Sequence, residues 1–427
     1  MITTPPTPGP SGAPTPPADT APTTAPTSTS GAPPIPPIGP LPADTHRQPW
    51  LGRPAIETIF ILLPPFLSLA FIAAFPALFH DNGNIPDAWW VILILLIDVA
   101  HVYSTLYRTY LDPVSFRRYR VPLLLIPLLG FIGGTLLYWW DGLLFWRVLA
   151  YLAVFHFIRQ QYGFMRIYSR QELAPSTAPS AAAAHPSPVP RPSPSANRTP
   201  PRPSPSWARR IDTLTIYYAT LYPLLYWHLG EPRHFNWFVD DDFLLFRSTA
   251  ILQIATLFYW LVLAAWLIRE AIQLIQTRHL NIPRVAILSG TILSWYFGII
   301  YFNGDMAFTL LNVVSHGIPY MALIWIYGQR QVRPTPLLQK VFSPYGILLF
   351  LGIIFLLAYL EEGLWDMTVW KEHVKLFSVF HLFGGRLHED ALIFVVPLLA
   401  LPQLTHYIID GFIWRSGGSA RRRQQSN

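Results

Sequence analysis

Runs of about twenty predominantly apolar residues constrain this chain more than any other feature. A backbone buried in hydrocarbon must satisfy its own hydrogen bonds, and a helix of that length does so while spanning a bilayer. Ten such runs lie near 57–79, 88–108, 121–140, 143–165, 211–229, 249–268, 284–302, 306–327, 341–360 and 391–414. They predict an all-α fold, a polytopic transmembrane helical bundle of about ten spans. Composition points the same way: 52% of the 427 residues are hydrophobic and 12% are charged, where soluble domains carry about a quarter charged residues. The 16 Trp and 20 Tyr suit interfacial belts, and "AWW" (88–90) and "YWW" (138–140) are read that way.

Charge orients the runs independently of hydropathy. With the N-terminus inside, the inner segments hold 23 of the 30 Lys and Arg, as the positive-inside rule requires. The opposite side receives "HDNGNIPDA", "EPRHFNWFVDDDF", "NGD" and an acidic stretch from Glu361 to Asp390. The net charge of +7 is then a property of inner loops, and no nucleic-acid partner is expected. Prolines are concentrated: 17 of the 44 lie in residues 1–54 and 11 in residues 174–205. Neither stretch has apolar periodicity, so both are expected to be disordered. The expected organisation is a Pro-rich cytoplasmic tail (1–54), four membrane helices (55–170), a cytoplasmic Pro/Ser/Ala-rich linker (171–208), six membrane helices (209–415) and a basic tail (416–427). Residues 1–54 also lack the basic start and short apolar core of a secretory signal. Arg outnumbers Lys 27 to 3, and with frequent Pro and Ala this suggests a GC-rich bacterial source and a cytoplasmic (inner) membrane location.

The chain has no cysteine, which excludes disulfides, iron–sulfur clusters and thiolate haem, so any metal must be held by nitrogen and oxygen. Four of the 13 histidines fall well inside predicted spans: His101, His156, His316 and His406. All lie on even-numbered spans, 7, 10, 14 and 9 residues before the next inner Arg, and therefore at similar depth. Each has a polar companion one turn away on its own helix: Asp98, Gln160, Asn312 and Asp410 respectively. Polar faces at one depth in lipid must turn inward. The economical arrangement is one cluster, with His101, His156, His316 and His406 holding a divalent metal and Asp410 able to join them. Asp98 would orient His101, while Arg159 or Gln160 would polarise bound oxygen or substrate. Pro319 and Pro402 each free a carbonyl four residues earlier, at Ser315 and Leu398. The competing reading has each histidine simply bonding a neighbouring helix. Arg159 can also snorkel to the inner face, His381 is expected at the interface, and "DDD" (240–242) is expected to be a solvated loop.

The ending "HYIIDGFIWR" resembles the last helix of poorly characterised bacterial multi-pass membrane proteins that reads HYxxDxxIW. More distantly, the arrangement is similar in kind to the Brp/Blh membrane carotenoid dioxygenases, although the GxPHGxxD-type string of that family is absent here. That likeness implies an iron held by four histidines and a hydrophobic or lipidic substrate. An integral-membrane metalloenzyme, an iron-dependent oxygenase supplied with electrons by a redox partner where the chemistry needs them, is thus the leading expectation. A b-type haem carrier, a proton-coupled transporter using the His/Asp pairs, and a non-catalytic membrane scaffold are the alternatives.

Overall fold

The computed structural model describes residues 48–79, 85–173, 206–331, 335–382, 384 and 387–414. These form helices and connections, with no strand among the described residues. The disorder expected for residues 1–47 and 174–205, and the expected basic tail, lie outside them. Residues 48–53, however, belong to the fold. Gln48 donates to the Leu280 carbonyl (2.9 Å) and accepts from the Ile282 amide (3.0 Å). Leu51 N–H bonds the buried carboxylate of Glu57 at 2.8 Å.

A bent pair opens the bundle: α1 (Pro54–Leu62) and α2 (Pro64–Ala74) meet at 55°. Pro64 and Pro65 cannot donate to the preceding turn, which places the break between them and α1. Next come α3 (Asp87–Arg108), α4 (Pro113–Trp140), α5 (Gly142–Tyr168), α6 (Ser206–Leu229), α7 (Thr249–Thr277), α8 (Ile282–Tyr301), α9 (Asp305–Arg330), α10 (Ile347–Trp370) and α11 (Glu389–Ile413). Their starts are chemically marked. Asp112 accepts from Val114 N–H (3.0 Å) ahead of Pro113, Asp141 from Leu143 N–H (2.8 Å), and Asn281 from Arg284 N–H (3.2 Å) ahead of Pro283. Each cap satisfies a donor that has no partner inside its helix.

Eight of these helices are long and apolar enough to cross a membrane, or nine if the bent pair counts as one span. The exception is α6. It is a 24-residue helix where a fifth span was expected, but the Tyr and Thr side chains along its length, with His228 and Asp212, lower its apolarity. Burial separates centre from rim: 89% of the apolar window of α9 is inside the protein, against 11% for α4 and 22% for α7. The exposed flanks of α4 and α7 carry Leu124, Leu128, Leu136, Ile254, Leu257 and Ile268. An apolar surface of that extent suits helices long enough to cross a membrane.

Three boundaries differ from expectation, with consequences for buried charge. Helix α7 continues to Thr277, so Arg269 is not in an inner loop but is sealed in the bundle end with Arg284. These two guanidiniums share the carboxylates of Glu172, Asp212 and Glu270, at distances from 2.6 to 3.7 Å. Glu172 precedes residues 174–205 and Asp212 follows them, so the network fastens both ends of that stretch. Helix α10 begins at Ile347 and continues to Trp370. Glu361, Glu362 and Asp366, expected in an outer loop, are therefore buried on a helix. In the 230–248 connection Asp242 is also buried rather than solvated. It accepts from the Trp237 and Phe238 amides at 2.9 and 2.7 Å. Burial pushes its carboxyl above the usual range, opposed by those hydrogen bonds.

Candidate metal centre

The four histidines converge. His101 on α3, His156 on α5, His316 on α9 and His406 on α11 are all buried, and one ring nitrogen from each lies within 4.8 Å of the others. Their rings form a closed square. His101 meets His316 at 4.7 Å between centroids, His316 meets His156 at 5.0 Å, His156 meets His406 at 4.5 Å, and His406 meets His101 at 5.0 Å. The Nε2 atoms of His101 and His316 are 3.1 Å apart. A metal bound by imidazoles at its usual 2.0–2.1 Å separates neighbouring nitrogens by ~3.4 Å in a tetrahedron and opposite ones by ~4.2 Å in a square. The 3.1 Å between His101 and His316 is close to the tetrahedral edge, and no pair of the four nitrogens is more than 4.8 Å apart.

What fixes the imidazoles is equally specific. His406 Nδ1 lies 2.7 Å from Thr105 Oγ1, which lies 2.8 Å from Tyr320 Oη; Tyr320 donates to Asp410 Oδ1 at 2.5 Å. With Nε2 of His406 facing the centre, Nδ1 carries the proton and each hydroxyl passes its own along the chain to the carboxylate. Metal-bound histidines are commonly oriented by such outer partners. Asp410, the candidate fifth ligand, stands beside the ring: one oxygen takes Tyr320 and the other lies 3.9 Å from His156 Nδ1. Asp98, the expected orienting group, stands 3.7 Å from His101 Nδ1, which has no hydrogen-bond partner among the described residues. His316 is held by stacking, its ring 3.5 Å from that of Phe157 at 6°.

The other expected site residues take different places. Gln160 touches no imidazole and donates to the His316 carbonyl at 2.9 Å, while its neighbour Gln161 donates to the Ser315 carbonyl at 3.4 Å. Pro319 frees the second of these acceptors, which is met instead from α5. Arg159 is exposed and bonds the Tyr217 hydroxyl, outside the ring. Asn312 returns its amide to the Phe308 carbonyl of its own helix. His381 bonds Asp366 at 2.7 Å near the far end of α10. Thr105, Tyr320 and Phe157 were not singled out from the sequence. The first two were detectable, because each stands four residues after a ring histidine; Phe157 carried no signal.

Close approach of α3 and α9 depends on Gly317. A Cβ there would stand 2.8 Å from Ile97 Cγ2, 3.0 Å from the Ile97 carbonyl and 3.5 Å from His101 Nδ1. Gly317→Ala is expected to cost about 1–3 kcal/mol through overpacking. It should also weaken metal retention, read as faster loss to a chelator, because the carbonyl cannot yield without moving His101's helix.

The fold and ring together define an all-helical protein with membrane-span-like helices and a buried four-histidine group able to hold a metal ion. Compared with known proteins, the chain matches no family model, no curated protein and no solved structure.

Proposed function

We propose that this is an integral-membrane metalloenzyme in which His101, His156, His316 and His406 hold one divalent metal ion. The carrying observation is that His156 Nε2 and His406 Nε2 are buried without a hydrogen-bond partner, in a ring whose other two Nε2 atoms face each other. A buried polar atom left unpaired costs about 1–3 kcal/mol. A protein keeps several in one spot when a ligand completes them. The scaffold alternative would satisfy each imidazole with a neighbouring helix; His406 Nδ1 is bonded in that way, to Thr105, but the Nε2 atoms of His156 and His406 are left open.

Imidazole sets suit zinc, copper, iron or nickel. We assign iron, on the likeness in kind to four-histidine membrane oxygenases. Such an iron, with positions left open, would supply the chemistry of dioxygen. The chain's own residues do the rest: Thr105, Tyr320 and Asp410 hold the imidazoles, and packed α9 excludes water. A haem reading is disfavoured by the same square. A porphyrin held by two opposite histidines would have to occupy the plane in which the other two stand.

A hydrophobic or lipidic substrate fits the surroundings. A cavity of about 300 Å³ opens between α4, α5 and α11, lined by apolar side chains that include Leu149, Leu152, Leu404 and Ile408. These four lie on the helices that carry His156 and His406. Residence in a bacterial inner membrane with both termini cytoplasmic is supported by the Lys and Arg distribution of the loops.

Metal analysis of the purified full-length protein tests the reading. One iron per chain without a Soret band is expected, with loss of the metal in His101→Ala and His406→Ala. A protein that emerges without stoichiometric metal, and binds none when supplied, ends it.

A further inference from the structure

The ring has two polar neighbourhoods, and they carry opposite charge. Towards the inner end of α3, Arg108 closes the way. Its guanidinium lies 3.7 Å from both the Tyr327 and the Trp414 ring centres and donates to the Ile413 carbonyl. A fixed cation sandwiched between two aromatic faces repels another cation and leaves little room for one.

In the other direction the side chains are acidic. Asp98 and Gln403 each stand three residues, one turn, before a ring histidine on α3 and α11. Gln403 donates to Glu361 Oε1 on α10 at 3.2 Å, which ties that carboxylate to the layer next to the ring. Glu362 adjoins it and lies within electrostatic reach of Glu361, Asp98 and Asp366. Asp366, one turn beyond Glu362, bonds His381, and the Trp370 end of α10 meets the start of α3, where His373 lies 3.3 Å from Asp87. The acids thus form a file from the ring to one face of the bundle.

An acidic file alone could be structural, but one member, Glu362, is left without a partner. Glu361 is 5% exposed and its Oε1 accepts from Trp365 Nε1 and Gln403 Nε2. Glu362 is 8% exposed and has no hydrogen bond or ion pair among the described residues. Among the described residues no Lys or Arg pairs with either, in contrast to the five-membered network at the opposite end. Burying unpaired carboxylates side by side is costly, and that cost is met when a cation occupies or passes the site. Oxygen ligands can replace the water shell of a divalent ion one position at a time, as a transit path requires.

We infer that Asp366, Glu362, Glu361 and Asp98 form the route by which a divalent cation enters from the Asp87/Trp370 face and reaches the histidine ring. The inference rests on the metal-centre reading above and adds where the ion comes from. Carboxylates along a path of low dielectric raise the local concentration of the arriving cation and its rate of capture, by roughly 10- to 1,000-fold in such settings. They do not set its final affinity, which belongs to the imidazoles.

The test uses metal-stripped, full-length protein and Co²⁺, whose absorption reports entry into a nitrogen site. Glu361→Gln/Glu362→Gln is expected to take up Co²⁺ at least about tenfold more slowly, with the same final stoichiometry. Removal of bound Co²⁺ by a chelator should slow by the same factor, since entry and exit share the path. Glu362→Gln alone breaks no hydrogen bond among the described residues, and it must also slow uptake. Glu361→Asp/Glu362→Asp should stay near the wild-type rate. Binding at the wild-type rate in both glutamine variants overturns the route and leaves the metal centre standing. A wild-type protein that never takes up Co²⁺ overturns both.

Discussion

Saturating the protein with its metal ion is expected to raise its unfolding free energy by about 2.7 kcal/mol when free metal is a hundredfold above Kd. His406→Ala should abolish that gain. The reasoning is linkage: the ring exists only when α3, α5, α9 and α11 are packed, so the ion binds the folded chain and not the unfolded one. The measurement compares the unfolding midpoint with excess metal and with chelator, for wild type and for each histidine variant. A structural role alone predicts that His406→Ala lowers both midpoints equally and that the wild type shows no gap between them. Equal midpoints in the wild type would therefore refute the metal centre. Thr105→Val supplies a graded case, since it removes the hydroxyl at His406 Nδ1 and leaves the ligand nitrogen in place.

The second large effect is at the other end of the bundle. Arg284→Ala is expected to destabilise the protein by about 3–5 kcal/mol, the usual result of removing one partner from a buried ionic group. Arg284 is fully buried and contacts Glu172 at 2.6 Å and Glu270 at 2.7 Å. Its loss leaves three carboxylates facing the single cation of Arg269. Unfolding in denaturant reads the loss directly. A change under 1 kcal/mol would mean that the carboxylates take up protons or water at little cost. Metal content per folded chain should be unchanged, because the ring draws nothing from this network.

Much of this was legible in the residues, and the reasons are physical. Apolar runs and loop charge located the helices because lipid leaves a chain few choices. The four histidines could be paired in advance because a lone imidazole in hydrocarbon has to find company. The same logic, applied evenly, would have found more. Thr105, Gln160, Tyr320 and Asp410 all stand four residues after a ring histidine, and three of the four are linked in one hydrogen-bonded chain. Asp98 and Asn312 were sought on the other side, and only Asp98 lies against its histidine. Arg159 illustrates the limit of spacing: three residues from His156 on a helix, yet turned outward to Tyr217, because a wide face has two edges. The acidic residues of α10 were lost for a different reason. Hydropathy marks a helix's end at its first charges, and "LEEGLWD" looks like an end. Only packing shows that the helix continues and that those charges are enclosed.

The ring takes one side chain from each of four helices, and the last of them is α11, which ends at Ile413. No portion of the chain that stops before α11 can present the full set of imidazoles. In a chain made from its N-terminus, the histidines of α3, α5 and α9 would wait uncoordinated until α11 arrives. Capture of an ion by the proposed centre would thus also report that the chain has been made through α11, and a molecule stalled before it would stay empty.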